Sequence, residues 1–189
     1  MTSPDELLFR SAEAGDAAAV ARLHADSWRR HYRGAFSDSF LDGDVAGYQL
    51  ARWTERLSAS DPRARTIVAE LGGEVAGLAH TQLGESADWG ALLDNLHVSH
   101  GRKRLGIGTR LLALTAQAVL DSSPGSGLYL WVLEQNTAAQ AFYTARGGAC
   151  AETAVVSPPG GDPTRLDGSP MCLRFAWPDP SRLLLPTTG

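Results

Sequence analysis

The chain has 189 residues, 43% of them hydrophobic and 20% charged, the make-up of one globular domain large enough for a real core. Its formal net charge of −4 argues against nucleic acid as the main partner. No apolar run approaches the roughly 18 residues of a membrane span and no signal-peptide pattern opens the chain, so a cytoplasmic protein with no membrane partner is expected.

In chain order, Leu7-Leu8-Phe9-Arg10 reads as a short first strand. Asp16 can cap a helix running to about Tyr32, with Val20, Leu23, His24, Ser27 and Trp28 along one side, and Gly34 breaks it. A second helical pattern covers Ser39 to Leu57, with interruptions expected near Gly43 and Gly47. Aromatic and acidic residues mix here: Trp28, Tyr32, Phe36, Tyr48 and Trp53 sit among Asp38, Asp42 and Asp44. Either the rings are core and the acids solvated surface, or the two together form a lip that attracts a cationic amine. On the second reading Trp28, Tyr32 and Asp38 are the candidate substrate residues.

Two strands, Thr66–Leu71 and Glu74–His80, flank Gly72-Gly73, which signals a tight hairpin. A polar loop with Glu85, Asp88 and Trp89 follows, then a strand from Ala91 to Val98. That strand runs into Gly101-Arg102-Lys103-Arg104-Leu105-Gly106-Ile107-Gly108 and then into a helical pattern with Leu111, Leu112, Leu114, Ala118 and Val119. Strand, glycine-rich turn, helix is a recipe for holding phosphate. The first N–H groups of a helix lack intrahelical partners, its dipole favours an anion there, and glycines let the backbone come close. The spacing fits neither G-x-x-x-x-G-K-[ST] nor G-x-G-x-x-G, because Gly108 is followed by Thr109-Arg110-Leu111.

Downstream, a β-rich run from Leu128 ends at Asn136, a short helix carries Phe142-Tyr143, and Gly147 stops it. The last strands are expected near Ala149–Val156 and Met171–Ala176, separated by a long Pro/Gly-rich loop, residues 157–170, either functional or a surface excursion or dimer contact. The proposed domain spans residues 1–177, and residues 178–189 read as a poorly ordered Pro-rich tail. Cys150 and Cys172, without CxxC spacing, read as isolated buried thiols.

The two central stretches together resemble the GCN5-related N-acetyltransferases. The glycine loop matches that family's acyl-CoA pyrophosphate motif, R/Q-x-x-G-x-G/A, from Lys103 to Gly108, with Lys in place of the first Arg or Gln. The second stretch matches N-x-x-A-x-x-F-Y-x-x-x-G at Asn136, Ala139, Phe142, Tyr143 and Gly147. The resemblance implies a single α/β domain with a mixed, mostly antiparallel central sheet, splayed at the acyl-CoA site, and helices on both faces. It implies acetyl-CoA as cosubstrate, with its pyrophosphate on Lys103, Arg104, Leu105, Gly106, Ile107, Gly108 and Thr109. Its pantetheine arm would lie along Leu96, His97 and Val98, with Asn136 and Ala139 beside it.

The N–H of Val98 would polarise the thioester carbonyl. The amine would attack directly, without an acyl-enzyme, and Tyr143 would protonate the departing thiolate. Asp94 is the candidate base, because four residues before Val98 would put it on the same side of a strand. His80 and His97 are rival proton carriers, more simply read as structural, and Glu134 is a weaker candidate. No metal is expected, since the histidines lack ligand spacing. The acceptor is expected to be a small cationic amine, and a homodimer is a family expectation. Alternatives are a protein lysine or N-terminal acetyltransferase, or a non-catalytic acyl-CoA sensor on the same fold.

Overall fold

The computed structural model describes residues 6–184. Seven strands form one open sheet in the order β1-β2-β3-β4-β5-β7-β6. They are β1 (Leu7–Ser11), β2 (Ala64–Leu71), β3 (Glu74–Ser86), β4 (Gly90–Val98), β5 (Leu128–Leu133), β6 (Ala149–Val155) and β7 (Met171–Trp177). Every neighbouring pair is antiparallel except β4 and β5, which run parallel. The expected α/β class and mixed sheet are present. In the β2–β3 turn, Gly72 and Gly73 both take positive φ, 61° and 81°, the geometry that matches the twist of a two-residue hairpin.

Helices cover both faces. On one side lie α1 (Ala17–His31), the short α2 (Asp38–Asp42) and α3 (Val45–Ser58). Val20, Ala21 and Leu23 of α1 and Trp53 of α3 pack on Val68 and Leu78 of the sheet. On the other side α4 (Ile107–Ser122) buries Ile107, Leu111, Leu112, Ala116 and Val119 against Leu128, Leu130 and Val132. The short α5 (Thr137–Thr144) adds Tyr143 to that same cluster.

Several local expectations are corrected. The break in the second helical pattern falls at Gly43-Asp44 alone, and Gly47 lies inside α3. Asp16 precedes α1, but its carboxylate is taken by Arg10 and the Glu13 N–H instead of capping that helix. Glu85 belongs to β3 rather than to a loop. Residues 157–170 carry two 3₁₀ turns, and a bridge from Leu166 to Phe36 fastens them over the α1–α2 junction. The tail is held as far as it is described: Pro180–Leu183 form a 3₁₀ turn, and Leu183 is buried in the α4 cluster. Residues 1–5 and 185–189 lie outside the described residues. Neither thiol is buried, since Cys150 is exposed on the edge strand β6 and Cys172 is half-buried. No helix among the described residues is long and apolar enough to cross a membrane.

Candidate active site

β4 and β5 are hydrogen-bonded neighbours over only two residue pairs, Ala91 with Leu128 and Leu92 with Tyr129. Beyond these the strands part, and a wedge opens in the middle of the sheet. The parting coincides with an irregularity in β4: Thr81 of β3 pairs with Leu93 and His80 with Asn95, so Asp94 has no partner. One extra residue in a strand bends it and increases its twist. The Ser99 N–H donates to the Ala76 carbonyl at 2.8 Å, toward β3. By the alternation of an antiparallel ladder, the backbone groups of Val98 and Leu96 point the other way, into the wedge.

Past Val98 the chain makes one 3₁₀ turn, His100–Arg102, and reaches α4 through Lys103–Gly106, all exposed. Arg104 has φ 68°, the one positive-φ non-glycine among the described residues, and Gly106 follows at φ 75° as the residue before the helix. The first helical bond is Arg110 N–H to Gly106 C=O, 3.0 Å. The N–H groups of Ile107, Gly108 and Thr109 therefore have no partner within α4. Gly108 lies against α5, where an added Cβ would stand 3.4 Å from the Phe142 ring and 3.7 Å from a Val98 methyl. The Arg146 guanidinium, 3.9 Å above the Phe142 ring, donates through Nε to the Thr109 hydroxyl at 3.1 Å. Lys103 of the loop stands near α1, its Nζ 3.3 Å from His31 Nε2.

On the far wall of the wedge, the Asn136 side chain caps α5 by accepting from the Ala139 N–H at 3.2 Å. Further along the helix, Tyr143 is buried among Phe142, Phe175 and Trp177. Burial, and then the nearby Tyr32, push its phenol above the ordinary tyrosine range. Tyr32 is pushed up to about 12 by burial and then by the charge of Asp94. Strand β4, the N-terminus of α4 and helix α5 thus meet at one place.

Asp94 does not share a face with Val98. Its Oδ2 accepts from Arg52 Nη2 at 3.2 Å and from Arg56 Nη2 at 2.6 Å, both on α3. Asn95, the next residue, also receives Arg56, at 2.8 Å. Val98 packs in the α4 cluster on the opposite side. The extra residue in β4 shifts the side-chain alternation by one, which defeats a count of four. Asp94 is held below the ordinary carboxylate range by its two arginines, against the opposing effect of its own burial. That makes it a reluctant base.

The acidic lip is rearranged as well. Asp38 and Asp42 both bind Arg33 at the exposed surface, Asp38 at 2.7 Å. Trp28 is core, only 6% exposed, with Tyr32 stacked on it and Phe36 and Phe40 edge-on. Of the three candidate substrate residues, Tyr32 alone stands near the wedge chemistry, close enough for its charge to bear on Tyr143 and for that of Asp94 to bear on it. His97 turns away from the wedge under α1, its Nδ1 2.9 Å from Ser27 Oγ and its ring 4.3 Å from that of His24. His80 bonds Thr66 at 2.7 Å. Burial is the chief cause that lowers both His80 and His97 to about 4, so each is neutral at neutral pH.

Sequence reasoning missed Arg52 and Arg56. The signal was present: Tyr48, Arg52 and Arg56 recur every four residues, which places them on one face of α3. No group of three or more His, Cys, Asp or Glu side chains placed to hold a metal occurs among the described residues.

Comparison with known proteins agrees with this geometry. The sequence profile of the Acetyltransferase (GNAT) family matches residues 17–148. A Mycobacterium tuberculosis protein named probable N-acetyltransferase Rv2775 is 29% identical over 142 residues, 74% of this chain and 78% of the relative. The fold is similar to that of a Thermoplasma acidophilum PaiA N-acetyltransferase solved in complex with coenzyme A. That similarity has a TM-score of 0.69 at 18% identity, over 91% of this chain and 99% of the other. An acetyltransferase from Thermus thermophilus superposes with a TM-score of 0.61 at 25% identity, over 90% of this chain and 96% of the other.

Proposed function

This chain belongs to the GNAT family of N-acetyltransferases, and from that premise we propose that it moves the acetyl group of acetyl-CoA to the primary amine of a small molecule by direct attack. The observation that carries the reading is the wedge between β4 and β5. An unpaired strand edge leads straight from it to a helix N-terminus with three unsatisfied N–H groups.

The residues present fit the cosubstrate. The N–H groups of Ile107, Gly108 and Thr109 suit a pyrophosphate, with Lys103 and Arg104 adding charge. The exposed backbone of Leu96 and Val98 suits an extended amide-bearing arm, and Asn136 and Ala139 stand across the wedge from it. Acetyl-CoA supplies an activated acyl thioester. In the transfer the C–N bond forms and the C–S bond breaks, the amine gives up a proton and the sulfur gains one.

The chain's own groups divide that work. The Val98 N–H is aimed to stabilise charge on the acyl oxygen, which in acyl transfers is a large share of catalysis. Tyr143, like any phenol, holds its proton at neutral pH, and burial holds it further into the alkaline range; it serves as the proton donor to the leaving sulfur. Asp94, kept ionised by Arg52 and Arg56, guides the acceptor's ammonium instead of deprotonating it, and the amine's proton passes to water.

The test is release of free thiol from acetyl-CoA in the presence of a panel of primary amines. Amine-dependent thiol release, with the N-acetylated amine as product, supports the proposal. Coenzyme A binding with no transfer to any amine points instead to a sensor of acyl-CoA.

A further inference from the structure

Beside the wedge, on the α3 face of the sheet, is a cavity of about 290 Å³ lined by Arg56, His80, Gln82, Glu85, Leu92 and Asp94. Its size suits a small molecule. Leu92 pairs with Tyr129 at the last point where β4 and β5 are joined, so the cavity starts where the wedge starts. Asp94 lies two residues before Leu96, about 7 Å along the strand, within reach of an acceptor whose amine attacks at the wedge.

The charges here are arranged unusually. Arg52 and Arg56 both donate to the same oxygen, Oδ2, of Asp94, and no donor among the described residues reaches Oδ1. Among those residues Arg52 otherwise bonds only the Tyr48 hydroxyl, at 3.4 Å, and Arg56 only the Asn95 side chain. Each guanidinium has five N–H donors, so more than half of the pair's donors remain free. Both side chains are less than a third exposed, at 29% and 23%. Two half-buried cations share one carboxylate oxygen, and a second anion is the group that would complete them. His80, neutral at neutral pH, adds no charge. Glu85 lies at the exposed rim, so the acids balance the arginines, which favours a neutral zwitterion over a polycation.

We propose that the acceptor is an amine bearing a carboxylate a few bonds away, as in an α-amino acid, with the carboxylate read by Arg52 and Arg56 and the ammonium by Asp94 Oδ1. The inference rests on the acetyl-transfer reading and narrows its acceptor. It replaces the expectation of a purely cationic substrate, whose acids Asp38 and Asp42 are already occupied by Arg33.

The experiment compares initial rates of thiol release for the common α-amino acids with those for their α-amides, with wild-type protein and with Arg52→Gln. The expected result is at least a tenfold preference in kcat/KM for one or more free acids over the matching amides. Arg52→Gln removes that preference by raising KM for the acid, while its melting shift with coenzyme A stays that of wild type. Equal or faster transfer to the amides overturns the inference and leaves the transferase reading standing. So does the absence of transfer to every carboxylate-bearing amine while coenzyme A still raises the melting temperature. Absence of both transfer and coenzyme A binding instead overturns the underlying reading.

Discussion

Gly77 on β3 lies directly beneath Ile107, the first residue of α4: a Cβ at Gly77 would stand 2.9 Å from the isoleucine Cγ2 and 3.1 Å from a Leu111 methyl. The absent side chain lets the helix settle onto the sheet and fixes where its N-terminus, and therefore the glycine loop, meets the wedge. Gly77→Ala is expected to cost about 1–3 kcal/mol, the usual range for overpacking, and to weaken coenzyme A binding by displacing the loop. Urea denaturation and calorimetric titration check the two effects. Unchanged stability would mean that α4 has room this geometry does not show.

Tyr143→Phe keeps the ring contacts with Phe142, Phe175 and Trp177 and removes only the hydroxyl. The fold and the melting shift with coenzyme A are expected to survive, while kcat falls about 100-fold or more, the usual share of a positioned proton donor. Because burial raises the phenol above its ordinary value, wild-type activity shows no alkaline loss due to this group below about pH 10. A kcat within twofold of wild type would remove Tyr143 from the chemistry.

Acid should destabilise the protein before its carboxylates titrate. His80 and His97 have pKa values lowered from 6.5 to about 4, so between those values the unfolded chain binds more protons than the folded one. Stability is then full above about pH 6.5 and falls as pH drops toward 4, by about 3 kcal/mol for each histidine at 1.36 kcal/mol per pKa unit. His24, also lowered by burial, adds in the same direction. Asp94, lowered in the fold, adds stability that is lost only at still lower pH. Melting temperatures measured from pH 7.5 to 4 check this, and a flat profile would contradict the buried, neutral state of these imidazoles.

Direct attack leaves no role for a thiol. Cys150 is exposed on the outer strand β6, and Cys172 is half-buried with its pKa raised by that burial. Alkylation with iodoacetamide is expected to modify Cys150 first and to leave the transfer rate within twofold. Loss of activity in proportion to Cys150 modification would point to a covalent acyl-enzyme.

Those parts of the site that rest on local chain geometry were legible in the sequence. Gly72-Gly73 announced the hairpin, Gly106-Ile107-Gly108 the turn into α4, and Asn136 the start of α5, whose last residue, Thr144, comes three before Gly147. What failed depended on events no local pattern carries. One unpaired residue in β4 moved Asp94 to the opposite face from Val98, where a simple period of two had put them together. Of the two readings of the aromatic and acidic segment, the structure agrees with core rings and surface acids: Trp28 is buried by packing across three helices, and Arg33 pairs with Asp38 and Asp42 at the surface. Arg52 and Arg56 could have been read from their four-residue spacing with Tyr48, but their meaning appears only when Asp94 arrives from 38 or more residues further along the chain.

If the wedge and the glycine loop together bind acetyl-CoA, saturating ligand must raise the melting temperature of the folded chain. A ligand held only by the folded state at 100 times its Kd adds about 2.7 kcal/mol, a rise of about 5–10 °C for a domain of this size. Such a rise is expected with acetyl-CoA and with coenzyme A, and none with ATP or NAD. No rise at saturating acetyl-CoA, or an equal rise with ATP, would contradict acetyl-CoA binding there.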